Sequence, residues 1–113
     1  MPPRRFQKLT VVRLMTSEQP AAKADRDEVT LQEHLAYLGG LRDRGIILLN
    51  GPIRQVDDPK FRGLSIYSAG AEEARRLAKE DPGVKAGWFE IEVNEWLLPS
   101  IPTMMGDRVD VGL

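Results

Sequence analysis

Residues 88–97, WFEIEVNEWL, alternate apolar and polar side chains along a single run. Period-two alternation marks a β-strand with one face on a core and the other turned away from it. Phe89, Ile91, Val93 and Leu97 share one side, and Trp88, Glu90, Glu92, Asn94 and Trp96 share the other. Such a strand belongs to a sheet covered on one face only. The segment before it supplies the cover. Residues 71–80, AEEARRLAKE, read as a helix, with Glu72 and Glu73 in the first turn, where the helix dipole favours carboxylates. Ala71, Ala74, Leu77 and Ala78 give it a narrow apolar face, and Asp81-Pro82-Gly83 ends it.

The same reading extends back toward the N-terminus. Residues 63–68, GLSIYS, predict a strand, and residues 54–62, polar and holding Asp58-Pro59, predict a turn. Residues 46–50, IILLN, predict a short apolar strand ending at Gly51-Pro52. Residues 29–44, VTLQEHLAYLGGLRDR, space their leucines as a helix does, and Gly45 caps it. Gly39 and Gly40 weaken that helix by about 1 kcal/mol each relative to alanine; close packing on the sheet is the expected reason for them. Residues 16–28 read as a polar loop and residues 6–15, FQKLTVVRLM, as the first strand. The order is βαββαβ. Right-handed crossovers turn it into an α+β, ferredoxin-like sandwich: a four-stranded antiparallel sheet with two helices on one face. The expected organisation is a disordered lead at 1–5, a domain at 6–97 and an irregular tail at 98–113.

Two tryptophans on the uncovered face, among acidic residues, predict an interface or a ligand cleft. Pairing of two copies through that face would bury it and leave a pocket, so a homodimer is expected, against the alternative of a face that stays exposed.

Composition narrows the function. The chain has 113 residues, enough for one domain with its own core. It has no cysteine, which excludes disulfides and thiolate chemistry and suits the cytoplasm. Sixteen basic residues meet seventeen acidic ones, for a net charge of −1, which argues against nucleic acid or a membrane surface as partner. No apolar run approaches the ~20 residues of a membrane span, and MPPRRFQKLT lacks the apolar stretch of a secretory signal. No metal-ligand cluster, nucleophile elbow or phosphate loop is visible.

His34 is the single histidine. At about 100° per residue it falls inside the leucine stripe of its helix, near Leu31, Leu38 and Leu41. A half-buried histidine suits proton transfer near neutral pH; a core histidine bonded to a nearby carbonyl fits the position as well. Asp81 lies at a helix C-terminus, where the dipole disfavours a carboxylate. It either orients another group, such as a histidine, or simply starts the Asp-Pro turn. Glu90 and Glu92, on the tryptophan face, could bind a cation or polar ligand, against the default of a solvated face.

These pieces in order resemble the YciI-like, or YCII-related, family of dimeric α+β barrel proteins. HLAYLGGLRDRG sets Gly45 eleven residues after His34, ILLNGP follows with Gly51 and Pro52, and Gly63 opens the third strand. AEEARRLAKEDPGVKAGWFEIEVNEW resembles the family's closing segment: an alanine-rich helix, Asp81-Pro82, Gly87 and a strand. The resemblance covers residues 6–97. It implies a dimer and an active site made of His34 and Asp81, a pairing that spacing does not supply. It further implies acid–base chemistry without a cofactor, as an isomerase or a dehydrochlorinase of lyase type, on a small hydroxylated aromatic or lactone-like metabolite. Relatives often carry an arginine just before the histidine. Here Leu31 stands three positions before it, and the nearest arginine is Arg26 in the loop, kept as a candidate substrate-binding residue; if the family's arginine anchors an anionic substrate, the departure implies a different substrate for this chain. Trp88, Trp96 and Glu90 complete the expected substrate-binding set. The loop at 16–28 and the tail look like additions, with Met104 and Met105 expected over the cleft or the partner subunit.

Two other classes stay open. Folds of this kind also serve as ligand sensors or accessory modules, which would bind a metabolite without turning it over. Haem binding through a helix histidine occurs in other dimeric α+β barrels, although nothing around His34 resembles a haem site. RNA recognition on the same strand order needs aromatics on the two central strands with basic neighbours, and the chain lacks that pattern.

Overall fold

The computed structural model describes residues 7–18, 27–54 and 57–99. Its elements are β1 (Gln7–Thr16), α1 (Glu28–Asp43), β2 (Ile47–Pro52), β3 (Phe61–Tyr67), α2 (Ala71–Lys79), α3 (Pro82–Lys85) and β4 (Phe89–Leu98). The four strands form one sheet in the order β2-β3-β1-β4, each neighbouring pair antiparallel. This is the expected ferredoxin-like α+β architecture with a third helix added. Four residues are too few to print a helical period on the sequence, where α3 reads only as a turn.

Strand register decides which side chains meet the helices. Val12 lies opposite Val93 in β4 and Ser65 in β3, so these residues share a face with Leu14, Tyr67 and Ile91. On that face Val12, Tyr67 and Ile47 pack with Leu38 and Leu41 of α1 and Ala74 and Ala78 of α2. The alanines, 0% and 2% exposed, let α2 sit close to the sheet. Alternate residues point the other way, and there Leu9, Ile66 and Leu98 form a separate small cluster. Leu97 has the helix-side parity that was expected, yet it lies near the strand's end and is half exposed.

The helix ends are set by local chemistry. Asp27 caps α1, accepting from the Thr30 backbone N–H at 2.6 Å. These bonds hold the Asp27 carboxyl below its ordinary pKa. At the other end Gly45 has φ +75°. Its N–H donates to the Arg42 carbonyl, and the Ile46 N–H to that of Leu41, at 3.0 and 2.9 Å. That paired closure is a Schellman motif, which delivers the chain into β2. Gly39 and Gly40 do not owe their place to the sheet. A methyl group at Gly40 would meet nothing within 4 Å, and one at Gly39 only the end of the Arg42 side chain. Nothing in the structure explains the pair.

Candidate active site

α1 turns His34, Leu38 and Leu41 inward, while Leu31 and Leu35 lie toward the edge of that stripe and are partly exposed. Across from His34, the end of α2 and the start of α3 place Asp81. Its N–H still bonds back to Ala78, and its side chain caps α3 by accepting from the Gly83 N–H at 2.9 Å. Pro82 follows at the first helical position, where a missing N–H costs nothing. The expectation that Asp81 suffers an unfavourable helix C-terminus is therefore corrected: its carboxylate serves as the N-cap of a new helix.

His34 Nδ1 lies 2.7 and 2.9 Å from the two Asp81 carboxylate oxygens. Asp81 is 1% exposed and His34 9%. An ionised carboxylate only accepts, so Nδ1 carries the hydrogen and Nε2 of the neutral ring holds the free lone pair. Every fully buried side-chain nitrogen or oxygen among the described residues has a hydrogen-bond partner. Nε2 has no such partner among the described residues, so it is not sealed in the core, and His34 lines a cavity. Phe89 backs the imidazole, with ring centroids 5.6 Å apart and planes tilted by 41°. Gly83 makes room for the pair: a Cβ there would stand 3.1 Å from the Phe89 ring and 3.2 Å from His34 Nδ1. Behind this group, burial pushes the Tyr67 phenol well above its usual pKa, and the charges of Tyr37 and Asp81 add to the effect.

The cavity has a volume of about 230 Å³. His34, Leu35 and Leu38 form its helical wall, and Leu14, Ser65 and Phe89 lie on the sheet side. Asn50, Pro52 and Arg62 are among the lining residues that β2 and β3 add. An apolar cavity of about 150 Å³ takes a benzene ring, so this one admits one substituted ring. Among the described residues no group of three metal-ligating side chains assembles.

The structure does not gather the other expected site residues here. Trp88 is 4% exposed and lies outside β4. α3 closes at Gly87, φ +82°, with a second Schellman pair, Gly87 N–H to Val84 and Trp88 N–H to Gly83. Trp88 thus belongs to the turn and packs edge-on to Phe89 and with Leu14. Its expected place on the uncovered face is corrected. Trp96 does lie on that face, 47% exposed, near Leu64 and Ile66. Glu90 shares it, and Glu92 pairs with Arg13 at 2.7 Å as an exposed ion pair. The sheet separates Trp96, Glu90 and Glu92 from His34. Arg26, Met104, Met105 and residues 1–5 lie outside the described residues.

Sequence reasoning overlooked Ser65, Asn50, Gly83 and the placement of Phe89 against the imidazole. Ser65 carried a signal: a hydroxyl on the core side of a strand is a buried polar group that needs a reason. Gly83 carried none beyond its place in an Asp-Pro-Gly turn.

Comparison with known proteins agrees with this architecture. TftG, a 5-chloro-2-hydroxyhydroquinone dehydrochlorinase from Burkholderia phenoliruptrix AC1100 solved with 2,5-dihydroxybenzoquinone, matches with a TM-score of 0.51 and 20% identity. The match covers 78% of this chain and 92% of that one, and it shows a shared fold. SnoaB, a cofactor-independent oxygenase from Streptomyces nogalater, matches with a TM-score of 0.43 and 14% identity, over 89% of this chain and 99% of that one. No curated protein matches the chain. The model of the YCII-related domain matches residues 10–97, the span that carries the whole sheet, α1, α2 and the His34–Asp81 pair except for the outermost strand residues. The chain belongs to the YCII-related domain family.

Proposed function

We propose that the protein is a small-molecule enzyme in which His34 moves a proton to or from an oxygenated ring held in the cavity. The observation that carries this reading is the orientation of the imidazole. Asp81 fixes Nδ1–H and leaves Nε2 as the basic nitrogen facing the space where a ligand would sit. The buried carboxylate also offers a negative charge to the ring as it takes up a proton, the arrangement that orients a general base. The walls are mostly apolar and accommodate one ring, which suits a hydroxylated aromatic or lactone-like metabolite. Isomerisation and loss of HCl both need a single positioned base, and neither step requires a cofactor. The similarity to a dehydrochlorinase makes 5-chloro-2-hydroxyhydroquinone the first compound to assay.

His34→Ala should lower the rate of chloride release, or of ring-proton exchange with deuterium, by about 10²–10⁴-fold. Its melting curve should still show a cooperative fold. A fully active variant would sink the proposal. Saturable binding with no product in the native protein would favour an accessory or sensing module instead.

The same reading places a second copy of the chain on the sheet face away from the helices. Its support is apolar: Trp96 and Leu49, about half exposed, flank a groove floored by Leu64 and Ile66. Light scattering should give a dimer mass for the native chain and a monomer mass for Trp96→Arg; a native monomer would refute it.

A further inference from the structure

A base that takes a proton from a neutral substrate leaves an electron pair behind. In a carbonyl compound or phenol that charge collects on oxygen, and a site shielded from water must hold it. Two side chains stand ready on the sheet side of the cavity. Ser65 and Asn50 are direct partners in the β2–β3 ladder, so their side chains share the face that meets the helices. Both line the cavity that His34 lines from α1. Ser65 is 4% exposed, and its hydroxyl makes no hydrogen bond with any described residue. Asn50 Oδ1 accepts from Arg42 Nη1 at 2.7 Å. Arginine has donors only, so the Asn50 oxygen must face Arg42, which leaves the amide NH₂ to donate elsewhere. The Arg42 cation also draws electron density from that amide.

We infer that Ser65 and Asn50 form an oxyanion-binding pair that holds an enolate or phenolate oxygen of the ring while His34 holds its proton. The inference rests on His34 acting as the base, and it adds the chemistry at the other pole. The substrate then carries an oxygen that the sheet can reach while its labile proton meets Nε2. No oxidant or second reactant enters: a proton passes from substrate to Nε2, and its electron pair stays on the ring oxygen.

A binding measurement separates this from the catalytic reading, because it needs no turnover. The probe is 4-nitrophenolate, used at a pH where it is ionised, with 4-nitrotoluene as a ring of similar shape without the oxyanion. The native protein should bind the phenolate and move its absorption maximum to shorter wavelength, as donors on the oxygen do. Ser65→Ala and Asn50→Asp should each weaken phenolate binding about tenfold or more, the scale of one hydrogen bond to a charged group. Ser65→Thr, which keeps the hydroxyl, should retain most of the affinity. All four proteins should bind 4-nitrotoluene alike. Equal phenolate affinity in native and variants would overturn the inference, as would a loss that extends equally to 4-nitrotoluene. Either result leaves the His34→Ala rate measurement to stand or fall by itself.

Discussion

Along β3 the residues facing the helices run Gly63, Ser65, Tyr67, from small to large. At the Tyr67 end the layer between sheet and helices is filled: the phenol ring, Ala74 and Ala78 leave no room. At the Gly63 end it is hollow, and His34 opens on the space. One strand thus builds a solid half and a cavity half four residues apart. The contrast locates stability and chemistry in different places. Truncation of a β3 side chain should therefore be severe at Tyr67 and mild at Ser65, which faces the cavity and has little packing to lose.

The sharpest way to break this comparison is a matched pair. Tyr67→Ala should cost about 3–5 kcal/mol in urea unfolding, the usual range for a buried aromatic. Ser65→Ala, two residues away on the same face, should cost about 1 kcal/mol or less. Equal losses would mean that the two halves are packed alike. Enlargement reverses the test. Ala78→Leu should destabilise by about 1–3 kcal/mol through overpacking, whereas the cavity should absorb Ser65→Leu with a smaller loss. Gly83→Ala probes the seam between the halves. Its new methyl group would press on Phe89 and on His34 Nδ1. Turnover should fall by about tenfold from misplacement of the base, with little change in melting temperature. The ¹⁵N signals of the single histidine would show whether Nδ1–H survives. The smallest effect is expected where an added methyl group meets nothing. Gly40→Ala, with open space around it, should stabilise the protein by about 0.4–1 kcal/mol.

Much of the fold was legible because its signals are local. Alternation in WFEIEVNEWL gave the strand and its two faces, and the leucine spacing gave α1. Gly45 marked its end because only a positive φ closes that turn. The misreadings are also local. Alternation placed Trp88 in the strand, but the closure of α3 at Gly87 delays β4 by one residue and folds Trp88 inward. The site was harder to see because it is made of distances that the sequence does not carry. His34 and Asp81 are 47 residues apart; resemblance to a family suggested the pair, and periodicity alone left each with an ordinary explanation. Ser65 and Asn50 become neighbours only through strand register, which a single strand's pattern does not fix.

The separate fates of the two tryptophans also make the protein its own fluorimeter. Trp88, 4% exposed and packed on Leu14 and Phe89, should emit at short wavelength and resist quenching by iodide. Trp96, 47% exposed on the opposite side of the sheet, should emit to the red and be quenched readily. Leu14 and Phe89 line the cavity, so a ring entering there perturbs the blue component, whereas another molecule covering the far face perturbs the red one. Events on the two sides of a single sheet are thereby resolved in one cuvette, with no label attached.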